Sequence, residues 1–593
     1  MIKTGTGNRW VKDSMRRRTV VLVVMALVFL LLLGRAVYLQ IFERDFLMKQ
    51  GAARHLRVVA MKAYRGMITD RLGEPLAIST PAKSVWIDPR IFVSNDAGLR
   101  KLAQLLSLDP VKLKRRIHRH MRRKSEFLYV KRQISQSLAA KVEALNLKGV
   151  NLMQEYKRYY PTGEVNAHVV GFTNVDDKGQ EGIELAFDRR LSGSSGAKRV
   201  RKDRIGHIVE DVERIRPTLH GKPVRLSIDH RLQYLSYRIL KNAVRKNRAV
   251  SGSLVILDVR TGEILAMVNQ PSYNPNDRSQ YFDRHYRNRA VTDLFEPGST
   301  IKPFVIAAAL QSGKFTPGTR IDTRPGRIEL SGRVIHDTRN YGVLSLAKVL
   351  IKSSNIGTSK VALKLGAATL WKQYRLLGLG QSTHSGFPGE ASGVLNHYRH
   401  WNKVETASHS FGYGLSVTIL QLAQAYMVLG NDGVRKPVSI LRREGPVFGR
   451  RVISYTSTRS VRRMLEKVVS AQGTGRLAAI DGYRVAGKTG TVKKLVAKGY
   501  SDKKYLALFA GFVPASKPRL VCVVLINEPR AGEYYGGKVA APVFSEVMKN
   551  ALRILNIAPD RLPVLSGKPS RRSAGTVQDG TEVTGIHVAE GRS

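Results

Sequence analysis

Cysteine is nearly absent from this chain of 593 residues, which contains only Cys522. An intramolecular disulfide needs two thiols, so a disulfide-stabilised small domain is excluded. Cys522 stands in the apolar run LVCVVLI, which predicts a buried side chain in a strand. Histidines such as His336 and His409 are scattered without the spacing of metal ligands, and we interpret them as structural. The sequence therefore predicts no metal site and no cofactor.

Acidic residues are scarce: 45 Asp and Glu stand against 99 Lys and Arg, which gives a formal net charge of +54. This charge is compatible with nucleic-acid binding through phosphate neutralisation, although the chain has no zinc-ligand spacing and no RNA-recognition signature. An anionic membrane surface or polymer suits the charge equally well. The hydrophobic content of 43% excludes wholesale disorder, and the length predicts two or more folded units.

Long hydrophobic runs are also rare, and the only long one is TVVLVVMALVFLLLLG at 19–34. The following RAVYLQIF extends it to the roughly 20 residues of a membrane span if Arg35 snorkels to the head groups. Basic residues precede the run and predict a cytoplasmic N-terminus: Lys12, Arg16, Arg17 and Arg18. A cleaved signal peptide is the alternative, since Gly34-Arg35-Ala36 resembles a small-x-small site, but the bulky VYLQIF favours a retained anchor. Everything after about residue 42 is then outside the cytoplasm, which disfavours nucleic acid as the ligand.

The pattern along the chain predicts five segments. They are a basic cytoplasmic tail (1–18), a transmembrane anchor (19–42), a mixed α/β pedestal module (43–220), an α+β module (221–558) and a disordered polar tail (559–593). In the α+β module, helical spacing at 230–246 and 541–555 predicts helices that pack together. Hairpins at 252–268 and around PASKP, with a strand at 483–492, predict a mainly antiparallel sheet with helices on its faces.

The most informative stretch of the α+β module is LFEPGSTIKPFVIAAALQSG (294–313). Its apolar residues surround the predicted helix on all sides, so the helix is expected in a core. Ser299 stands at the helix start, where free N–H groups and the helix dipole favour a developing negative charge. Lys302 lies one turn further on the same face, in a half-buried position that eases loss of its proton. We therefore interpret Ser299 as a nucleophile and Lys302 as its base.

Ser-x-x-Lys alone is a weak signal, because the chain contains three other copies: Ser195/Lys198, Ser345/Lys348 and Ser501/Lys504. The copy at Ser299 differs because two further motifs follow it, Ser353-Ser354-Asn355 after 54 residues and Lys488-Thr489-Gly490-Thr491 on a predicted strand. An earlier KTGT at 3–6 precedes the membrane run, has no strand pattern around it and is a coincidence. The order and spacing of the three motifs make the combined signal strong.

This motif set resembles that of penicillin-binding proteins and class A β-lactamases, and Ser354 in place of an aspartate suits the former. RGMITDRLGEPLA, GQEGIELAFDRRLSG and RKDRIGHIVED look like the N-terminal pedestal or dimerisation-type module of class B penicillin-binding proteins. The stretch RAVYLQ (35–40) after the apolar run, together with the total length, points to their septal branch. The resemblance covers roughly residues 15–555 and implies the penicillin-binding-protein transpeptidase fold for 221–558.

The resemblance implies a serine-type D-Ala-D-Ala transpeptidase of the bacterial inner membrane, with its catalytic domain in the periplasm at the division septum. Ser299 attacks the penultimate carbonyl, Lys302 takes its proton, and the N–H groups of Ser299 and Thr491 form the oxyanion hole. The other implied roles are a proton relay (Ser353, sharpened by Lys488), amide binding (Asn355), room for substrate (Gly490) and carboxylate binding (Thr489 and Thr491). An amine from a neighbouring peptide then resolves the acyl-enzyme.

The partners implied are peptidoglycan stem peptides on lipid-linked nascent glycan, β-lactam antibiotics, and an FtsW-type glycosyltransferase with other division proteins. An elongation-type class B transpeptidase remains open, since only the flanking resemblance and the length disfavour it. A β-lactamase or antibiotic sensor would lack the long N-terminal module. A non-catalytic scaffold is disfavoured as the sole role, because Ser299, Lys302, Asn355 and Lys488 are all intact.

Overall fold

The computed structural model of the protein describes residues 7–48, 56–92, 96–202, 208–280, 283–497 and 499–561. The first KTGT copy (3–6) and nearly all of the predicted disordered tail lie outside these residues.

The N-terminal part is one long helix, Gly7–Val37, followed by a π-helical turn, Tyr38–Phe42. Its segment Met15–Phe42 is 28 residues long, unburied, and apolar enough to cross a membrane. The Arg35 guanidinium lies 5.2 Å from the centroid of the Tyr38 ring, an arrangement that lets the charge stay beside an interfacial aromatic. The helix begins well before residue 19, because no proline or glycine interrupts the basic stretch ahead of the apolar run.

The strands of the pedestal module, in its described residues, are β1 Leu56–Met61, β2 Ile68–Thr69, β3 Pro75–Ile87, β4 Leu128–Ile134, β5 Val150–Tyr159, β6 Gly196–Lys202, β7 Ile208–Arg216 and β8 Val224–Arg225. One sheet has the order β1-β6-β7; the other has the order β4-β3-β2-β8, with β5 also paired to β3. The helices are Asp96–Leu105, Pro110–Arg122, Gln136–Glu143, Ala167–Val170, Gly182–Ala186 and Asp188–Leu191.

A buried ion-pair network holds the pedestal together. Glu184 accepts hydrogen bonds from Arg65 Nε at 2.5 Å and Arg158 Nε at 2.7 Å, and all three side chains are at most 2% exposed. Arg65 also reaches Asp188 at 2.7 Å. Charges this deep are tolerated only when paired and hydrogen-bonded, so these four residues depend on one another.

The larger module is built around an antiparallel sheet of β9 Ser251–Asp258, β10 Ile264–Gln270, β17 Ala486–Val496, β18 Gly499–Val513 and β19 Leu520–Asn527. The order of these strands in the sheet is β10-β9-β19-β18-β17. Short pairs are β11 Arg320–Asp322 with β14 Val343–Ser345, β12 Arg327–Leu330 with β13 Arg333–His336, and β15 Val434–Arg435 with β16 Arg450–Arg451. Strand β17 is an edge strand: of the described residues, only β18 pairs with it.

Helices cover both faces of this sheet: His230–Lys246, Asp283–Tyr286, Arg289–Thr292, Lys302–Gln311, Leu346–Lys352, Asn355–Leu365, Ala367–Leu377, Lys403–Ser410, Ile419–Gly430, Tyr455–Val469 and Gly536–Ile554. The first and last of these pack together, as predicted. Successive side chains of β9 point to opposite faces, so Leu254 and Ile256 join the core under those two helices, whereas Val255 and Leu257 join the core that includes Lys302–Gln311. Cys522 is completely buried in β19.

The predicted fold class is confirmed: α+β, with an antiparallel sheet flanked by helices, preceded by a mixed α/β module and an apolar N-terminal helix. Two elements have bounds that differ from those predicted. The last helix spans Gly536–Ile554 instead of 541–555, so that Pro542 lies inside it, and the KTGT strand spans Ala486–Val496 instead of 483–492. The segment bounds proposed from the sequence remain predictions.

Candidate active site

Ser299 lies in a short 3₁₀ turn, Gly298–Ile301, which leads into the helix Lys302–Gln311. We name this helix the Lys302 helix; it is buried through Ala309, as its all-round apolarity predicts. The tighter turn differs from the predicted α-helical start at Ser299. Two hydrogen bonds fix its backbone: Thr300 Oγ1 donates to the Pro297 carbonyl at 2.6 Å, and the Tyr426 hydroxyl donates to the Thr300 carbonyl at 2.8 Å. Ser299 itself is half-buried.

Two glycines let the backbone approach the Ser299 turn closely. Gly298 has φ +52, and a Cβ there would lie 2.4 Å from Val492 Cγ2 of β17. Gly412 has φ +88, its carbonyl accepts the Gly298 N–H at 3.1 Å, and a Cβ there would lie 2.2 Å from the Gly298 carbonyl oxygen. The turn is thus wedged between β17 and Gly412. Sequence reasoning missed Gly412, for which the repeated glycine in FGYG was the only available signal.

Glu296 also holds this region and was missed from the sequence. Its Oε1 accepts hydrogen bonds from the Gly414 N–H at 2.7 Å and from the Tyr500 hydroxyl at 2.9 Å. Burial raises the pKa of this carboxyl group. Glu296 therefore connects the Ser299 turn to the Gly412–Gly414 segment and to β18.

Lys302 is completely buried and lies among the residues of the second motif. Its Nζ donates to the Ser353 carbonyl at 2.6 Å and to Asn355 Oδ1 at 2.7 Å, and it lies 3.3 Å from Ser353 Oγ. Burial, and then the charge of Lys488, lower the pKa of Lys302 well below its ordinary value, against an opposing effect of Asp337. The amine thus loses its proton far more readily than a solvated lysine does.

The second motif is a break between two helices. Helix Leu346–Lys352 ends at Ser353, whose φ of 62 is in the left-handed region, and Ser354 caps the helix that begins at Asn355. The break turns the Ser353 carbonyl and the Asn355 side chain toward Lys302. A left-handed conformation is costly for a serine, so surrounding contacts have to maintain it.

Asp337 supplies those contacts, and sequence reasoning assigned it no role. Its carboxylate accepts hydrogen bonds from Ser354 Oγ at 2.5 Å, from the Asn355 N–H at 2.5 Å and from the Ile356 N–H at 3.2 Å. The neighbouring His336 carbonyl accepts a bond from Asn355 Nδ2 at 3.0 Å. Asp337 thus caps the helix that carries Asn355 from a separate hairpin, which no local sequence pattern announces.

The third motif lies on the edge strand β17, beside the Ser299 turn. A Cβ on Gly490 would lie 3.0 Å from Thr300 Cγ2, so the absent side chain permits this approach. Lys488 is completely buried, and burial lowers its pKa to about 7. Its Nζ donates to the Thr489 carbonyl at 3.2 Å.

The two threonines of this motif already have partners within the protein. Thr489 Oγ1 lies 2.8 Å from Thr474 Oγ1, and Thr491 Oγ1 accepts the Gly536 N–H at 2.9 Å. Thr474, in the segment AQGTGR, is a further neighbour that sequence reasoning missed. Each threonine hydroxyl can still donate one hydrogen bond, so carboxylate binding by this pair remains chemically feasible.

The three motifs, far apart in the sequence, therefore meet at the Lys302 helix and the edge of β17. Their assembly provides a serine hydroxyl on a constrained turn, an amine that gives up its proton readily, and a strand whose outer edge is open to an extended peptide. These are the parts that acyl transfer on a peptide requires. Within the described residues, no group of three or more His, Cys, Asp or Glu could hold a metal ion.

Comparison with known families gives two matches that together span most of the chain. The family model of the penicillin binding protein transpeptidase domain matches residues 252–549, and that of the penicillin-binding protein dimerisation domain matches residues 60–226.

Full-length relatives show the same similarity. The peptidoglycan D,D-transpeptidase FtsI of Escherichia coli K12 is 46% identical over 91% of this chain and 92% of its own. The probable peptidoglycan D,D-transpeptidase PenA of Neisseria gonorrhoeae is 42% identical over 92% of this chain and 94% of its own.

Solved structures agree. Penicillin binding protein 3 of Mycobacterium tuberculosis, complexed with aztreonam, matches with a TM-score of 0.66 and 27% identity over 84% of this chain and 98% of its own. The transpeptidase domain of penicillin-binding protein 3 from Burkholderia pseudomallei matches with a TM-score of 0.53 and 44% identity over 57% and 98%, respectively.

Proposed function

The chain belongs to the penicillin-binding protein transpeptidases, in the septal branch represented by FtsI, and we propose that it works through an acyl-enzyme on Ser299. Its activity is that of a peptidoglycan D,D-transpeptidase of cell division. The observation that carries the mechanism is the environment of Lys302, a fully buried amine with a lowered pKa that is hydrogen-bonded to both Ser353 and Asn355.

The first step is acylation. Neutral Lys302 has two N–H donors and one lone pair; the donors are directed to the Ser353 carbonyl and Asn355 Oδ1, which leaves the lone pair to accept a proton from a hydroxyl. The Ser299 hydroxyl gives up that proton as its oxygen attacks the penultimate carbonyl of a D-Ala-D-Ala peptide. The N–H groups of Ser299 and Thr491 stabilise the oxyanion, and Ser353, next to Lys302, passes the proton to the departing D-alanine.

The second step is transfer to an amine. The substrate lies along the open edge of β17, where Gly490 leaves room for it and Asn355 binds its amide. Cationic Lys488, with the hydroxyls of Thr489 and Thr491, attracts the terminal carboxylate. An amine of a neighbouring stem peptide then attacks the ester carbonyl, forms the cross-link and releases Ser299. A β-lactam follows only the first step, because its opened ring stays attached to the serine.

The N-terminal helix is the part of the chain suited to membrane attachment. The apolar helix Gly7–Val37 is compatible with a single-pass anchor, and we propose a cytoplasmic N-terminus and periplasmic catalysis at the septum. An FtsW-type glycosyltransferase and other division proteins are the proposed partners, with nascent peptidoglycan as the substrate and β-lactams as inhibitors. The basic residues Arg16, Arg17 and Arg18 at the start of the span support this orientation.

Covalent labelling with a fluorescent penicillin tests the nucleophile. We expect one adduct, located on Ser299 by peptide mass spectrometry and absent from Ser299→Ala. Ser501→Ala is the matched control, because Ser501 belongs to another Ser-x-x-Lys copy and its Oγ accepts hydrogen bonds from the backbone N–H groups of Lys503 and Lys504. An adduct on any other residue, or labelling that survives Ser299→Ala, would refute the proposal.

A further inference from the structure

A concentration of uncompensated positive charge lies away from the catalytic motifs, around a cavity of about 730 Å³. We name it the cationic cavity. Its lining contains five basic side chains and no aspartate or glutamate: Lys372, Arg375, Arg435, Lys436 and Arg450. Of the residues that the structure describes, none forms an ion pair with any of these five. A cavity of this size is in the range that binds small ligands.

Two arginines of the cavity, Arg375 and Arg435, are half-buried, and neither is neutralised by an ion pair within the described residues. Arg435 is half-buried against Gly378, whose absent side chain leaves room for the guanidinium: a Cβ there would lie 2.9 Å from Arg435 Nη2. Burial, then the charges of Arg375 and Arg450, lower the pKa of Arg435. Like charges gathered in a concave site raise the free energy of the folded state unless an anion binds there.

The other lining groups favour a ligand that has both polar groups and apolar surface. Among the residues that the structure describes, the buried Trp371 indole N–H and Gln424 Oε1 have no hydrogen-bond partner, although buried polar atoms usually have one. Gln424 Nε2 donates to the Lys436 carbonyl at 3.3 Å, which fixes the orientation of this amide. Phe448 lies at the rim and is 85% exposed. The site thus combines guanidinium groups for carboxylates with aromatic surfaces for sugar rings or methyl groups.

The cavity is separate from the catalytic centre. Its residue Val452 precedes Ser454, whose N–H donates to Gln311 Oε1 at the C-terminal end of the Lys302 helix. That helix has ten residues and spans about 15 Å, and Ser299 is at its other end. A ligand in the cavity therefore leaves the catalytic serine free.

We infer that the cationic cavity is a second binding site for peptidoglycan, which holds a strand through its stem-peptide carboxylates while another strand reacts at Ser299. This inference rests on the proposed function, because a polymeric anionic substrate is the ligand that such an enzyme meets. Bidentate contacts between arginine and carboxylate supply the specificity. Tethering at a second site raises the effective concentration of the substrate at the first, with no new contact at the catalytic centre.

Calorimetric titration of the full-length protein in detergent with soluble muropeptides tests this inference. The catalytic serine is first acylated with benzylpenicillin, and Ser299→Ala is used in parallel, so that binding at the cavity is measured apart from the reaction. We expect saturable binding that weakens with salt and is lost when the muropeptide carboxylates are methyl-esterified. The proposed function depends on Ser299, whereas the cavity does not contain it. Muropeptide binding to Ser299→Ala therefore tests the cavity independently of the proposed function.

Variants locate the site. Arg435→Gln removes the half-buried guanidinium of the cavity. The double variant Lys372→Gln with Arg450→Gln removes two exposed charges that form no hydrogen bond within the described residues. Folding is therefore preserved in the double variant even if Arg435→Gln destabilises the protein. Each is expected to weaken muropeptide binding about tenfold while penicillin labelling of the unblocked protein is unchanged. Arg553→Gln, an exposed arginine on the last helix, is the control and should bind as the wild type.

Three outcomes would overturn the inference. The first is wild-type affinity in both cavity variants. The second is binding of inorganic phosphate without binding of muropeptides, which would make the cavity a phosphate site. The third is tighter binding of an oligoglutamate peptide than of muropeptides, which would indicate an acidic protein partner.

Discussion

Removal of the Asp337 carboxylate should slow catalysis, although in the proposed mechanism Asp337 does not itself contact the substrate. Asp337 accepts hydrogen bonds from Ser354 Oγ and from the N–H groups of Asn355 and Ile356, and thereby maintains the helix break that presents Ser353 and Asn355 to Lys302. Asp337→Ala removes all these acceptors. Asp337→Asn keeps one oxygen and loses the charge.

The structure gives the expected size of both effects. Hydrogen bonds to a charged group contribute roughly 1.5–3 kcal/mol each, and the carboxylate at a helix start adds about 0.3–1 kcal/mol. Because these bonds share one half-buried group, Asp337→Ala should lower the free energy of unfolding by about 3–5 kcal/mol rather than by their sum. A misplacement of roughly 1 Å in the catalytic groups costs about 100-fold in rate, and we expect a loss of that order in penicillin acylation.

The pH dependence of acylation distinguishes a positioning role from general loss of structure. The proposed mechanism requires the base form of Lys302, so it predicts an acylation rate that rises with pH through the pKa of Lys302. The charge of Asp337 raises that pKa, against the larger effect of burial. Asp337→Asn should therefore move the acidic limb of the profile to lower pH even though the maximal rate falls.

Stopped-flow acylation with a chromogenic cephalosporin and thermal unfolding measure these effects on the same preparations. Asp322→Asn is the control, because Asp322 is an exposed aspartate of the neighbouring strand β11, paired with Arg324 at 2.9 Å, and should change neither measurement. An Asp337→Ala protein that acylates at the wild-type rate, or an acidic limb that does not move in Asp337→Asn, would refute the reasoning.

Two further predictions concern other buried charges. The pKa of Lys488 is about 7, so its cationic form declines as pH rises through that range, and attraction of a substrate carboxylate should decline with it. Lys488→Arg keeps its charge and should move this alkaline limb to higher pH. An unchanged limb would argue against the role of Lys488. In the pedestal, Glu184→Gln leaves buried Arg65 and Arg158 without their carboxylate and should lower the free energy of unfolding by about 3–5 kcal/mol in urea titrations. Glu213→Gln, in an exposed ion pair, is the control and should change the free energy of unfolding little. Equal effects of the two variants would contradict the proposed stabilising role of the buried network.

The sequence predicted those parts of the site that local patterns encode. The all-round apolarity after Ser299 predicted a buried helix, and the Lys302 helix is one. The alternating and apolar runs predicted both hairpins of the central sheet, because side-chain period and turn residues are local properties. The helix predicted at 230–246 is observed as His230–Lys246.

The contacts that hold the site together could not be predicted, because they join distant segments. Asp337 caps a helix that begins 18 residues later, and Gly412 lies against Gly298 across more than a hundred residues. Each needs the tertiary fold before its partner is defined. The 3₁₀ turn at Ser299 and the left-handed φ of Ser353 are likewise imposed by packing, because serine by itself prefers neither of these two conformations.

The burial of Cys522 has a practical consequence for measuring motion. Its thiol is completely enclosed in β19, and burial raises its pKa, so a maleimide reagent, which reacts with thiolates, should leave the native chain unmodified. The natural protein therefore needs no substitution of its own cysteine before a labelling cysteine is introduced. A single cysteine introduced at the rim of the cationic cavity, as in Phe448→Cys, would carry a spin label or fluorophore with no need to replace the native Cys522. Distances from that position could then be followed as antibiotic or peptidoglycan is added.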